Sequence, residues 1–357
     1  MGVRVYEKAL HCLRLIPFLL ALGGSATALA TPSEGTPDQP IRIDSYELGR
    51  GLALGDAGLT LGGYATTRYE DLRGDSTRMT LDHLSLMLWW EGSGRLSFFS
   101  ETDLEEGLAT RRQGDEDDRF VALERLYLDY AFADAATLRL GKFLTPIGRW
   151  NLVHADPLVW TTSRPMVTDE VFPASATGAM LLGTVPVARH DIDYALFASS
   201  GTAWRPKPAE DPFEEVRGLH LDAALGSGLR VGLSMAEFEQ EAERDERKRL
   251  FGLDVLWRRD NWELTGEGVY RSSSDGAARI VKGGFLQLVA PLGERLFGVG
   301  RIEALRLADS DRTSTAWVAG LNFRYRRAIS LKAEVLGGQH LPDGSPEGFL
   351  ASLSVLF

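Results

Sequence analysis

The sequence predicts an all-β fold: a transmembrane, antiparallel up-and-down β-barrel of about sixteen strands whose third long loop turns inward. Three observations predict it. Apolar and polar residues alternate with period two over stretches of roughly ten residues, the length that crosses a bilayer when tilted. The connections between these stretches alternate short and long in strict order. The chain opens on an export-type segment and closes on an alternating strand with an aromatic last residue.

At the start, Arg4, Lys8 and Arg14 accompany the apolar run 15–22 (LIPFLLAL), and Ala28, Leu29 and Ala30 form a small-x-small cleavage site. That order of charge, apolar core and small residues is a secretory signal, so residues 1–30 are read as a signal peptide. The run is shorter than the ~20 residues of a spanning helix. The single cysteine, Cys12, lies in this segment, so the exported chain has no thiol for disulfides, Cys-ligated zinc or c-type haem attachment. Residues 31–57 are read as an N-terminal leader and 58–357 as the barrel. Loss of residues 1–30 takes the formal charge from -11 to -13. Such an acidic chain is not a general nucleic-acid binder, because phosphate requires a basic surface.

Beyond residue 30 no run of 18 apolar residues occurs, which excludes a helical membrane protein. Alternation is clear at Leu84, Leu86 and Leu88; at Leu126, Leu128 and Tyr130; at Phe251, Leu253 and Val255; and at Trp317, Ala319, Leu321 and Phe323. It puts one residue set on each face of a sheet. The candidate strands centre near residues 64, 85, 99, 126, 140, 181, 195, 221, 234, 254, 266, 286, 301, 321, 333 and 353. Short connections such as 226–228 and 259–261 alternate with long polar ones such as 104–118, 145–176 and 239–249. A soluble sandwich has no reason for this rhythm, whereas a membrane barrel has tight turns on one side and long loops on the other. Aromatics gather near strand ends (Tyr130 and Phe132, Trp257 and Trp262, Phe323 and Tyr325, Phe349 and Phe357), as interfacial girdles do.

Residues 138–148 (LRLGKFLTPIG) place Arg139, Gly141, Pro146 and Gly148 in an R-x-G-x-x-x-x-P-x-G pattern. This resembles the strand-to-loop signature of Gram-negative outer-membrane porins, especially the phosphate-selective porin O and P superfamily. Phe172-Pro173 with Gly178 resembles the return of the loop into the next strand. The resemblance implies a water-filled, sixteen-stranded channel, usually a homotrimer, for passive diffusion. The last strand, ending at Phe357, resembles the recognition signal of outer-membrane barrels, which implies the barrel-assembly machinery as a biogenesis partner.

The segment 145–176 is the third long connection, and general porins fold their third loop into the lumen. About thirty residues exceed a compact turn and are usually functional. Arg149, Trp150, His154, Asp156, Trp160, Arg164, Asp169 and Glu170 are therefore expected to form the constriction. On the wall, the phase of the alternation points Arg95, Arg125, Asp129, Arg139, Asp222, Arg258, Glu267, Arg301, Glu303, Arg324, Lys332 and Glu334 inward, together with Glu101, Asp103, Arg230, Asp254, Glu263 and Arg271. Mixed signs predict near-neutral or weakly cation-selective passage of small hydrophilic solutes or ions. Phosphate-selective relatives use rows of lysine, whereas this chain has six lysines in all, with Lys142, Lys282 and Lys332 in strands.

Other readings are a substrate-specific channel, including one for anions or phosphate, and a barrel sheath around an electron-transfer protein. An outer-membrane hydrolase ranks below these. No phosphate-binding loop, dinucleotide fingerprint or zinc-protease helix motif occurs. Asp82 and His83 are strand neighbours and so are expected to face opposite sides, while His220 and Asp222 share the inner face. No catalytic residue, metal or cofactor is assigned. Acidic clusters at 115–118, 210–215 and 241–246 read as solvated loops or as divalent-bridged contacts with lipopolysaccharide; outer-membrane lipid is the surrounding partner.

Overall fold

The computed structural model describes residues 43–357 apart from 56–57, 93, 110–119, 134, 154, 202, 205, 207–209, 275–278, 309 and 343–344. The proposed signal peptide lies outside the described residues. A short hairpin, β1 (Ile43–Glu47) and β2 (Gly51–Leu54), precedes the barrel strands. These are β3 (Leu59–Leu72), β4 (Arg78–Glu91), β5 (Leu96–Ala109), β6 (Phe120–Ala133), β7 (Ala136–Leu144), β8 (Ser175–Val187), β9 (His190–Ser200) and β10 (Phe213–Gly226). They continue as β11 (Leu229–Gln240), β12 (Glu243–Arg259), β13 (Trp262–Ser273), β14 (Ile280–Pro291), β15 (Leu296–Arg306), β16 (Ser314–Arg326), β17 (Ile329–Gln339) and β18 (Gly348–Leu356).

Each strand from β3 to β18 pairs antiparallel with the next, and β18 returns to β3 in a register running from Gly348 opposite Leu72 to Leu356 opposite Tyr64. The result is a closed sixteen-strand up-and-down barrel, containing every strand that the alternation predicts. Closure matters because an open edge in hydrocarbon leaves backbone groups unpaired. β2 uses the stretch of β3 that β18 leaves free, with Leu52 opposite Leu61 and Leu54 opposite Leu59.

The two faces separate as period two demands. On β15, Arg301, Glu303 and Leu305 are buried inside while Ile302 is 63% exposed outside. On β12, Asp254 is buried and its neighbour Leu253 is 62% exposed. Outward apolar residues recur around the cylinder (Leu86, Leu128, Leu140, Leu196, Leu286, Leu321, Val335), and the aromatics Tyr130, Phe132, Trp262 and Tyr325 join them. An apolar belt around a closed barrel is the surface of an outer-membrane protein. Tight turns carry the left-handed geometry that hairpins need: between β12 and β13, Asp260 and Asn261 have φ of 49° and 68°. That is the signature of a type I′ turn, for which Asp and Asn are suited.

Two sequence expectations are corrected. Residues 239–249, expected as a polar loop, are mostly strand: β11 and β12 extend to a tip at residues 241–242. The pairs Arg249–Glu237 (3.0 Å) and Arg247–Glu239 (2.8 Å) stabilise this extension, replacing the packing that a sheet face supplies elsewhere. The interior is also less uniformly polar than alternation implies. Tyr64, Met87, Phe99, Tyr127 and Phe143 from the wall pack with Ile147, Trp150, Val167, Val171 and Phe172 of the connection between β7 and β8 in one apolar cluster. A wall facing only water would not hold these side chains; they are there because a loop lies against them.

Replacing Leu253 by Arg tests the outward belt. Expected is a loss of about 2–4 kcal/mol in urea-monitored folding into lipid bilayers, the cost of a lipid-facing cation near the midplane. A water-facing residue so exposed would change stability by only about 0.5 kcal/mol.

Candidate functional site

The connection from β7 to β8, residues 145–174, folds into the barrel. It contains a 3-10 turn (Trp150–Leu152) and a short helix, α1 (Met166–Glu170). Thr145, Ile147, Arg149, Trp150, Asn151, Thr161 and Val167 are all buried. It is the third long connection, and it turns inward as the sequence predicts.

Its entry is set by Gly148. With φ +66°, this residue occupies the left-handed region, and a Cβ there would lie 2.2 Å from Glu267 Oε2. The close approach lets Glu267 Oε1 accept the backbone N–H groups of both Arg149 (2.8 Å) and Trp150 (2.5 Å). Ser234 Oγ accepts the Gly148 N–H at 3.0 Å and contacts His220 Nδ1 at 2.9 Å. The Arg149 guanidinium bonds Asp222 and lies 3.1 Å from Asp254.

The same device recurs along the loop. Glu334 accepts the N–H groups of Thr162 (3.0 Å) and Ser163 (2.7 Å), and Glu303 accepts that of Met166 (2.7 Å). Arg301 donates to Thr161 Oγ1, to Ser163 Oγ and carbonyl, to the Arg164 carbonyl and to Glu303, at 2.7–3.2 Å. Lys332 Nζ donates to the carbonyls of Asp156 (2.7 Å) and Thr161 (3.1 Å), and Arg271 to that of Val171 (2.8 Å). Asn322 donates to the Trp160 carbonyl at 3.0 Å. Such charge-assisted bonds are roughly twice as strong as neutral ones. The wall charges of β13, β15, β16 and β17 thus bind loop backbone as well as one another.

The expected constriction residues divide by side. Arg149, Trp150 and Trp160 face the wall: Trp150 meets Phe285 edge-on with centroids 5.9 Å apart, and Trp160 Nε1 donates to Glu263 at 2.9 Å while Arg324 stacks 3.9 Å over its ring. They anchor the loop. Arg164 pairs with Asp169 at 2.9 Å, and Asp169 and Glu170 are exposed at the end of α1. Burial and the neighbouring Asp169 push the Glu170 carboxyl above the ordinary value. Asp156 is half-buried; burial opposes its ionisation, yet the positive charges of His83, Lys332 and Arg68 hold its carboxyl below the usual range. His154 lies outside the described residues.

Of the expected wall residues, Arg95 is corrected. It lies in the turn before β5, exposed, donating to the Phe132 carbonyl at 2.8 Å, because the strand begins one residue later. The others line the inner face. Arg125 pairs with Glu101 at 2.5 Å, Arg139 binds Asp129 through two 2.8 Å bonds, and Arg258 holds Glu263 at 2.7 Å. Asp222 also takes Arg230, 2.7 Å away. Of the strand lysines, Lys142 and Lys332 are buried inside, as is Lys248, which the loop reading of its segment had placed off the wall; Lys282 is exposed on the outer face.

Asp82 and His83 are also corrected: they do not face opposite sides. In the pairing with β3, Thr66 is opposite His83 and Thr67 opposite Leu81, so Asp82 is an extra bulge residue. A bulge interrupts period two. Both side chains consequently point inward, Asp82 to Arg68 and His83 Nδ1 to Asp103 Oδ2 at 2.5 Å. A second bulge in β6 leaves Glu124 without an opposite residue in β5, and Glu124 and Arg125 are both buried. Strict alternation misses such sites; the only trace in the sequence is two adjacent polar residues within an apolar strand.

No protein-family model matches the chain. An uncharacterized protein of Aquifex aeolicus (strain VF5) is 25% identical over 242 residues, 61% of this chain, and the chain spans about half of that relative's length (53%). Among solved structures, Salmonella typhi OmpF in complex with daunomycin is similar with a TM-score of 0.60 at 9% identity, covering 84% of this chain and 97% of that one. The trimer form of OmpT, an outer membrane protein of Vibrio cholerae, gives 0.56 at 9% (84% and 99%), and an anion-selective porin from Comamonas acidovorans 0.55 at 14% (84% and 98%). At these identities the likeness concerns fold alone, and the fold shared is the closed outer-membrane β-barrel.

Proposed function

We propose that this chain is an outer-membrane porin, a passive diffusion channel for small hydrophilic solutes or ions, narrowed by its third loop. The observation that carries the proposal is the seating of residues 145–174 inside a closed barrel by Glu267, Glu303 and Glu334. No bond chemistry is required of it; passage depends on the gap beside the loop and on the charges bordering that gap. Residues 1–30 direct export, lipid and lipopolysaccharide surround the belt, the barrel-assembly machinery inserts the chain, and three copies form the working unit. The strand-to-loop pattern Arg139, Gly141, Pro146 and Gly148 supports kinship with the phosphate-selective O and P superfamily, since it ends β7 and opens the inward loop. An anion path has less support: Lys142 donates to the Trp204 carbonyl, Lys248 to Gln240 and Glu243, and Lys332 to loop carbonyls, so the inward lysines among the described residues form no row for phosphate.

Liposome swelling with graded sugars tests the general channel against a substrate-specific one: a smooth fall in rate with increasing solute size is expected, and swelling confined to one solute class favours the specific channel.

Deleting residues 150–170 is expected to raise unitary conductance in planar bilayers several-fold, and Glu267→Ala to raise it partially by releasing the loop entry. Unchanged conductance in the deletion overturns the channel reading of the loop. Selectivity should follow pH. Glu170 has a raised pKa, so its charge is complete above that value and disappears as pH falls, earlier than for a free glutamate. Reversal potentials in a salt gradient are therefore expected to show a weak cation preference at pH 7 that declines on acidification, and Glu170→Gln to lower it at pH 7.

A further inference from the structure

The bulge in β4 creates an arrangement that passive diffusion does not use. We propose that Asp82, His83 and Asp156 form a binding site for a first-row divalent transition metal, with Zn²⁺ the natural probe, tying the internal loop to strand β4. Each residue offers one ligand atom, and the three atoms lie within 4.8 Å of one another. Two come from consecutive wall positions that share a side only because of the bulge, and the third comes from the loop. Bulges re-aim side chains in this way next to functional sites.

The imidazole is oriented for the task. Its Nδ1 is engaged by Asp103 Oδ2 at 2.5 Å, and its Nε2 faces Asp82 Oδ2 at 3.5 Å. A metal-ligating histidine characteristically gives its other ring nitrogen to a carboxylate, which fixes the tautomer and raises ligand basicity. Arg68 occupies Asp82 Oδ1, leaving Oδ2 towards the site. Thr66 on β3 hydrogen-bonds the Asp156 carboxylate and Lys332 bonds its backbone carbonyl, so the loop ligand is held from two sides. One imidazole nitrogen and two carboxylate oxygens suit Zn²⁺, Co²⁺ or Mn²⁺; a site for Ca²⁺ or Mg²⁺ would use oxygen alone. Glu105, grouped with His83 and Asp103, is the adjacent carboxylate.

The site stands whether or not the barrel conducts, so its test is binding. The folded full-length barrel in detergent is dialysed against Zn²⁺ with Mg²⁺ in excess, and bound metal is counted. One Zn²⁺ per chain is expected, with affinity at least ten-fold weaker in His83→Ala and in Asp156→Asn, and unchanged in Glu294→Gln at an exposed turn. Circular dichroism and heat-dependent gel mobility report folding, and His83→Gln replaces His83→Ala if that variant does not fold. Absence of stoichiometric Zn²⁺, displacement by Mg²⁺, or full affinity in the histidine variant overturns the site. Full affinity in Asp156→Asn overturns the tie to the loop.

Discussion

A stretch of backbone that leaves the wall of a barrel and enters its interior must find partners for its N–H and C=O groups away from any sheet ladder. Here ionised side chains supply them. Three glutamates accept loop N–H groups and Arg301, Lys332 and Arg271 donate to loop carbonyls. The loop's place inside the cylinder, and therefore the shape of the remaining passage, rests on these contacts.

The mixed signs of the wall acquire a reason from this arrangement. A peptide backbone presents donors and acceptors alike, so a wall that holds one needs carboxylates and cations side by side. Glu303 and Arg301 show the principle at one spot: they bond each other and divide the loop between them, the acid taking the Met166 N–H and the guanidinium two carbonyls and two hydroxyls. Isolated buried ion pairs contribute little net stability, because desolvation offsets attraction. Their contribution here is geometric, since each pair specifies where the loop crosses.

The barrel was legible because lipid on one face and a polar interior on the other impose a rule on every second residue, as at Leu253 and Asp254. The inward loop was legible at Gly148, whose pattern with Pro146 marks an exit from strand geometry. The roles within the site were less so. Trp150 and Trp160 read as constriction residues, yet they pack on Phe285 and Glu263, because period two describes walls and carries no information about which side of a loop meets them. Arg95 was one residue out of register. Asp82 and His83 were misplaced because a bulge is an insertion, and an insertion reverses the phase of everything counted across it. The apolar cluster around Tyr64 and Phe143 was hidden for a related reason: inward apolar residues look like ordinary outward ones until the loop that covers them is placed.

The charged wall groups that bond the loop backbone between Arg149 and Val171 lie on β13 to β17, later in the chain than the loop itself. Strands β3 to β7 give the same loop an apolar face, from Tyr64 to Phe143, and a bond from Thr66 to Asp156. While the barrel grows from β3 onward, the segment after β7 therefore meets grease first and its ionic partners only when the second half of the cylinder arrives. The first half can cover the segment; the second half decides where it crosses.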